Sequence, residues 1–210
     1  MDNEYFEGEF CRPPTPARFH IDEGFSYSRS DQYEKAIDEY TTAIALTTDM
    51  DELTDAYQYR STAYQMLGEK AKAIADLTWL IEHNKALARN HDSRGCLYLS
   101  LGMFEDAAKD LTIAYQQEPY DDTLLQRAIA CYRLQRYHDA IADLTTLLNI
   151  REQYPTYAAA LYHHRGKAYY RLNKFDEALH DFNEIMKIHQ SPLLTNPDEY
   201  INAVFDGHDL

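Results

Sequence analysis

The stretch NKFDEALHDFNEIM (173–186) has a counterpart far upstream, DQYEKAIDEYTTAI (31–44). In each, an aromatic is followed three residues on by Ala, three further on by an acid, and then by a second aromatic. Three more segments align on the same Ala without gaps: GEKAKAIADLTWLI (68–81), GMFEDAAKDLTIAY (102–115) and QRYHDAIADLTTLL (135–148). The shared residues are Ala36, Ala73, Ala107, Ala140 and Ala178, separated by 37, 34, 33 and 38 positions. Four residues after each stands a large side chain, Tyr40, Leu77, Leu111, Leu144 or Phe182, a spacing that puts both on one helical face.

Each segment has an upstream partner. Twelve residues before the Ala stands a small residue (Gly24, Ser61, Gly95, Ala128, Gly166), followed three residues later by Tyr27, Tyr64, Tyr98, Cys131 or Tyr169. Every repeat therefore holds two helices that the small residue lets approach closely. A helical Gly costs about 0.5–1 kcal/mol, so its recurrence calls for a packing reason. Gly68, Gly102 and Asn173 fall where the turn between the two helices belongs.

The bulk composition limits what such a chain does. Its 210 residues, 45% hydrophobic, suffice for a sizeable core in one or two domains. Seven Gly and seven Pro are too few for a loop-rich chain. The net charge of -15 disfavours nucleic acid and anionic membrane surfaces as general partners. No run is long and apolar enough to span a bilayer, and MDNEYFEGEF lacks the pattern of a secretory signal, so a cytoplasmic location is expected. Cys11, Cys96 and Cys131 are widely spaced and read as reduced thiols.

With LGxxY-like and AxxxF-like halves at a period near 34, the chain resembles the tetratricopeptide repeat (TPR) family. The residues that carry this are RGCLY (94–98), AAKDL (107–111), Pro119, RGKAY (165–169) and ALHDF (178–182). Departures are the early Trp/Leu slot, filled by His20, Tyr57, His91, Leu124 and Tyr162, and a Pro in register only at Pro119. The longer spacings near TTDMDEL and IREQYPT read as longer inter-repeat turns or extended second helices. The resemblance implies an all-α, right-handed α-α superhelix of about five helix-turn-helix repeats (17–50, 54–87, 88–120, 121–154, 159–190), with first helices lining a concave groove. The acids three residues after each Ala (Glu39, Asp76, Asp110, Asp143, Asp181) are expected as a solvated stripe on the second helices.

Residues 1–16, with Pro13, Pro14 and Pro16, read as a flexible arm in which Thr15 is a candidate phosphosite. Residues 191–210 read as a capping helix and tail. There Asn196 caps, Pro197 opens the helix, Glu199 closes a capping box, and Tyr200, Ile201, Val204 and Phe205 form the apolar stripe.

No catalytic or phosphate-binding motif is present, and the nine His are not at metal-ligand spacing, so no enzyme, cofactor or metal function is expected. The resemblance instead implies a protein or peptide partner held in the groove. Helical geometry, with the groove face that the resemblance implies, places Arg18, Phe25 and Arg29 there from the first repeat, with Ile21 beside them. The second repeat offers Tyr59, Thr62 and Met66, and the third Arg89, Ser93 and Cys96. The fourth offers Gln126, Ile129 and Arg133, with Tyr132 adjoining, and the fifth His163, His164, Lys167, Tyr170 and Arg171. The last two repeats concentrate Arg133, Lys167, Arg171 and two His into a basic spot suited to an acidic side chain or a C-terminal carboxylate.

Some TPR proteins clamp the acidic tails of heat-shock chaperones with Lys, Asn and Arg at set slots. In repeats three to five those slots hold Asp92, Cys96, Gln126, Ala160 and His164, and the other registers match only at Arg89. That function is therefore not expected. A scaffold or adaptor binding a partner peptide fits best. A chaperone-like or assembly/secretion adaptor for a client is the alternative, and an RNA-binding helical repeat or enzyme fits less well.

Overall fold

The computed structural model describes residues 15–83, 87–151, 153–190 and 196–204, without the side chains of 199 and 202–204. These residues form eleven helices: α1 (Pro16–Arg29), α2 (Tyr33–Leu46), α3 (Met50–Met66), α4 (Lys70–Glu82), α5 (Ala88–Ser100), α6 (Phe104–Gln117), α7 (Asp121–Arg133), α8 (Tyr137–Arg151), α9 (Pro155–Arg171), α10 (Phe175–Ile188) and α11 (Pro197–Val204). They fall into two compact units, α1–α4 and α5–α11. In the first unit α1 pairs with α2 and α3 with α4; in the second α5 pairs with α6, α7 with α8 and α9 with α10. No described helix is long and apolar enough to cross a membrane.

The repeated residues do the same job in every pair. All five shared Ala are fully buried, and so are Tyr40, Leu77, Leu111 and Phe182. The small slot is a close-approach point. A Cβ on Gly24 would lie 2.6 Å from the Tyr40 ring, one on Gly95 2.8 Å from Leu111, and one on Gly166 2.5 Å from the Phe182 ring. The turn repeats as well. Asp31, Gly68, Gly102, Gln135 and Asn173 all have φ between 54° and 75°, each five residues before the shared Ala. The next N–H reaches back to the carbonyl of Tyr27, Tyr64, Tyr98, Cys131 or Tyr169 at 2.8–3.0 Å, so the first helices end in Schellman turns.

The extra residues of the two longer repeats lengthen first helices, not turns or second helices. α3 and α9 each have 17 residues, against 13 in α5 and α7. Asp49, whose carboxylate accepts from the Asp51 and Glu52 N–H groups at 3.0 Å, starts α3 a turn early.

The acid stripe is not solvated. Asp76, Asp110, Asp143 and Asp181 are buried, each held bidentately by an Arg sixteen residues upstream: Arg60, Arg94, Arg127 and Arg165, at 2.6–2.9 Å. Each Arg directly precedes the small residue on the first helix, so the pair ties the two helices of its repeat together. The first repeat has Glu23 at that place, and there Glu39 meets His20 at 2.6 Å. Several of the eighteen tyrosines find their role here: Tyr57 and Tyr64 flank Arg60, while Tyr162 and Tyr169 flank Arg165, all with cation–ring distances of 5.2–5.8 Å.

The apolar core of the second unit extends into α11. Tyr200 stacks on Phe182 at 4.3 Å, and Ile201 is 3% exposed. The Asp198 N–H donates to Asn196 Oδ1 at 2.8 Å, with Pro197 opening the helix as expected. The side chains of Glu199 and Val204, and Cys11, Pro13, Pro14 and Phe205, lie outside the described residues. Thr15 caps α1, accepting from the Arg18 N–H at 3.0 Å.

Candidate functional site

In the first unit, Arg18, Phe25 and Arg29 lie on α1 and Tyr59, Thr62 and Met66 on α3. The Phe25 and Tyr59 rings are 5.5 Å apart, and Phe25 and Met66 stay largely exposed. Arg18 is committed locally, to Asp22 at 3.1 Å and Asp55 at 2.8 Å. Ile21 is fully buried between helices and not at the surface the spacing suggested.

In the second unit a cleft of about 440 Å³ opens between α7 and α9. It brings together five of the expected residues, Ile129, Arg133, His164, Lys167 and Arg171, with Tyr132 between them. Helical spacing explains the convergence: Ile129 and Arg133 are four apart on α7, as are Lys167 and Arg171 on α9. The floor is apolar, formed by Ala128, Ile129 and the buried Leu144. Tyr132 is the hub. The Lys167 ammonium sits 5.4 Å from its ring centre, and Arg171 Nε lies 3.5 Å from its hydroxyl oxygen. Arg133 rests on the Phe104 ring at 4.8 Å. Gln135, in the turn after α7, and Tyr137, the first residue of α8, complete the wall; neither lies on a first helix, where the spacing points.

The two histidines do not add charge. Burial, with His164 and Lys167 nearby, pushes His163 down to about 4, and burial and Lys167 push His164 down as well. Both are neutral imidazoles near pH 7, so the basic character comes from Arg133, Lys167 and Arg171. His163 and Tyr170 turn instead to α11, bonding to Tyr200 Oη at 3.1 Å and Asp198 Oδ1 at 2.6 Å. The lowered His163 pKa has a sign that can be checked. The unfolded chain binds this proton near pH 6.5 and the folded chain only near 4, so the contribution is present above 6.5 and lost as pH falls towards 4. His163→Gln is expected to shrink the drop in Tm between pH 7 and pH 5 relative to wild type; an unchanged drop contradicts this.

A second, larger cleft of about 810 Å³ lies near the N-terminal ends of α7 and α9. Its polar groups are largely paired with one another: Thr123 donates to Asp92 at 2.5 Å, and Arg151 holds Asp121. Cys96 is half-buried, and burial together with Asp92 and Asp122 pushes its thiol up to about 11, which keeps it protonated and unreactive. Of the other expected residues, Arg89 and Ser93 lie on α5 and Gln126 on α7, outside the lining of either cleft.

The model of the tetratricopeptide repeat family matches residues 121–191, which contain the α7–α9 cleft. Over residues 121–191 the chain carries tetratricopeptide repeats. Its fold is the all-α TPR superhelix class, as solved structures show. A MamA structure is similar with a TM-score of 0.72 over 93% of this chain and 98% of that one, at 16% identity. YrrB, described as a TPR protein with an unusual peptide-binding site, is similar with a TM-score of 0.74 over 88% of this chain and 91% of that one, at 14% identity. Among curated proteins, RNA polymerase II-associated protein 3 of Homo sapiens is 22% identical over 77% of this chain, and that of Mus musculus 24% identical over 67%. This chain spans about a quarter or less of the length of those relatives, 23% and 20%.

Proposed function

We propose that this TPR protein is a protein-interaction scaffold that receives a partner peptide on the α7–α9 face and holds an acidic group of it in the basic cleft. The observation that carries this reading is the convergence of Arg133, Lys167 and Arg171 over an apolar floor in a chain of net charge -15. Anionic and apolar ligand atoms are served together there, and helices hold the donors in place. The place differs from that of the heat-shock-tail clamp. The clamp slots of these repeats are Gln126, Ala160 and His164, whereas the cations lie one to two turns further along α7 and α9. YrrB's unusual peptide-binding site is a precedent for a TPR fold binding peptide outside the standard arrangement. The largely exposed Phe25 and Met66 of the first unit favour a second reading, an adaptor that also touches apolar segments of a client.

A displayed peptide library tests the main reading. Selection on wild type is expected to enrich sequences with an acidic or C-terminal carboxylate group, and Lys167→Glu/Arg171→Glu is expected to lose that enrichment while keeping its helical circular dichroism. If both proteins select the same sequences, the cleft is not the site.

A further inference from the structure

Arg133 and Arg171 of the α7–α9 cleft are placed differently from the arginines of the buried pairs in the second unit. Arg94, Arg127 and Arg165 each grip an aspartate with two hydrogen bonds. Arg133 has an aromatic ring and Arg171 a phenol hydroxyl, and neither makes an ion pair among the described residues. Lys167 lies beside the same phenol. The cleft thus gathers three cationic side chains, Lys167 and Arg171 at Tyr132 and Arg133 on the Phe104 ring, beside the apolar Ala128, Ile129 and Leu144. Bonds from cationic donors to an anionic group are charge-assisted and stronger than neutral ones. A single carboxylate brings one negative charge and two acceptor atoms. A phosphate monoester brings about 1.5–2 negative charges and three terminal oxygens, matching three donors that approach from two helices.

We infer that the preferred ligand of this cleft is a phosphorylated side chain of the partner peptide, bound by Arg133, Lys167 and Arg171, which line it together. This rests on the reading of the cleft as the site for the partner's acidic group. Arg171 and Arg133 supply planar guanidinium forks to phosphate oxygens, Lys167 supplies a point charge, and Tyr132 keeps Lys167 and Arg171 on the same side of the cleft.

The full chain, isotope-labelled for NMR, is titrated at pH 7.5 and constant ionic strength with inorganic phosphate, acetate and succinate. Resonances of Tyr132, Lys167 and the arginine side chains are followed. Phosphate is expected to saturate the cleft at roughly tenfold lower concentration than either carboxylate, the effect of about one additional charge-assisted bond. Arg171→Gln and Lys167→Gln are each expected to remove most of that advantage. If acetate or succinate matches phosphate, the cleft is an anion site that takes carboxylates and the phosphate inference is overturned. If none of the three moves cleft resonances, the reading of the cleft as an acidic-group site fails too. Shifts that persist in both variants mean diffuse surface binding and overturn the inference equally.

Discussion

Asp181→Ala is expected to destabilise the second unit by about 3–5 kcal/mol, because it leaves the Arg165 guanidinium buried without its counter-charge. Asp181 is fully buried and Arg165 is 13% exposed in its side chain. After the substitution Arg165 keeps, among the described residues, the Thr145 hydroxyl at 3.1 Å and two tyrosine faces. Burial holds the Asp181 carboxyl above its ordinary pKa even against the lowering effect of Arg165, so desolvation is not fully offset by the pair. The ion pair therefore adds little net stability over an apolar pair, and the cost lies in breaking it one-sidedly. Arg165→Met/Asp181→Leu is accordingly expected to unfold at a denaturant midpoint much closer to wild type than Asp181→Ala does. Trp79, the one tryptophan, lies in the first unit, so circular dichroism and not tryptophan fluorescence must follow the transition. A midpoint for Asp181→Ala equal to wild type would sink this view of the ladder.

Gly166→Leu is the second large effect. Even the first added carbon would stand 2.5 Å from Phe182 Cε1, well inside van der Waals contact. Phe182 has no room to withdraw, being fully buried and stacked on Tyr200 at 4.3 Å. Overpacking of this kind costs about 1–3 kcal/mol or more, a fall in Tm of roughly 5–10 °C for a unit of this size. A Tm matching wild type would mean that α9 and α10 do not meet at this position.

The periodic features were legible because each follows from one local cause. Small residues mark helix contacts, Ala marks the fully buried column, and the turn position recurs even where Gly is replaced by Asp31, Gln135 or Asn173. The arginine–aspartate ladder was missed one column away from the small slot. An acid on a helix surface is ordinarily solvated, and a partner sixteen residues distant on another helix is invisible to i,i+4 reasoning. The signal was present as Arg60, Arg94, Arg127 and Arg165, each immediately before its small residue.

The candidate site divides in the same way. Arg133 and Arg171 each stand five residues after the small residue of their helix, and Lys167, four before Arg171, shares its face, so helix geometry brings them together. Gln135 reaches the cleft through a turn whose φ is 60°, a path that no first-helix periodicity describes. His163 and Tyr170 have groove spacing, yet both bond to α11, a terminal helix outside the repeat pattern that supplies Tyr200 and Asp198 as partners. The charge state of the adjacent His163 and His164 also depends on packing: burial first, then Lys167 nearby, lowers both.

The most direct test of the scaffold reading is a charge exchange across the cleft. A peptide selected by wild type is measured in four combinations: original or acid-to-lysine peptide, against wild type or Lys167→Glu/Arg171→Glu. The original peptide is expected to lose about 100-fold or more in affinity for the variant, the scale of two charge-assisted hydrogen bonds. The lysine-bearing peptide is expected to prefer the variant over wild type. Equal affinities in all four combinations would show that the acidic group is not held by Lys167 and Arg171, and would contradict the assignment of the α7–α9 cleft.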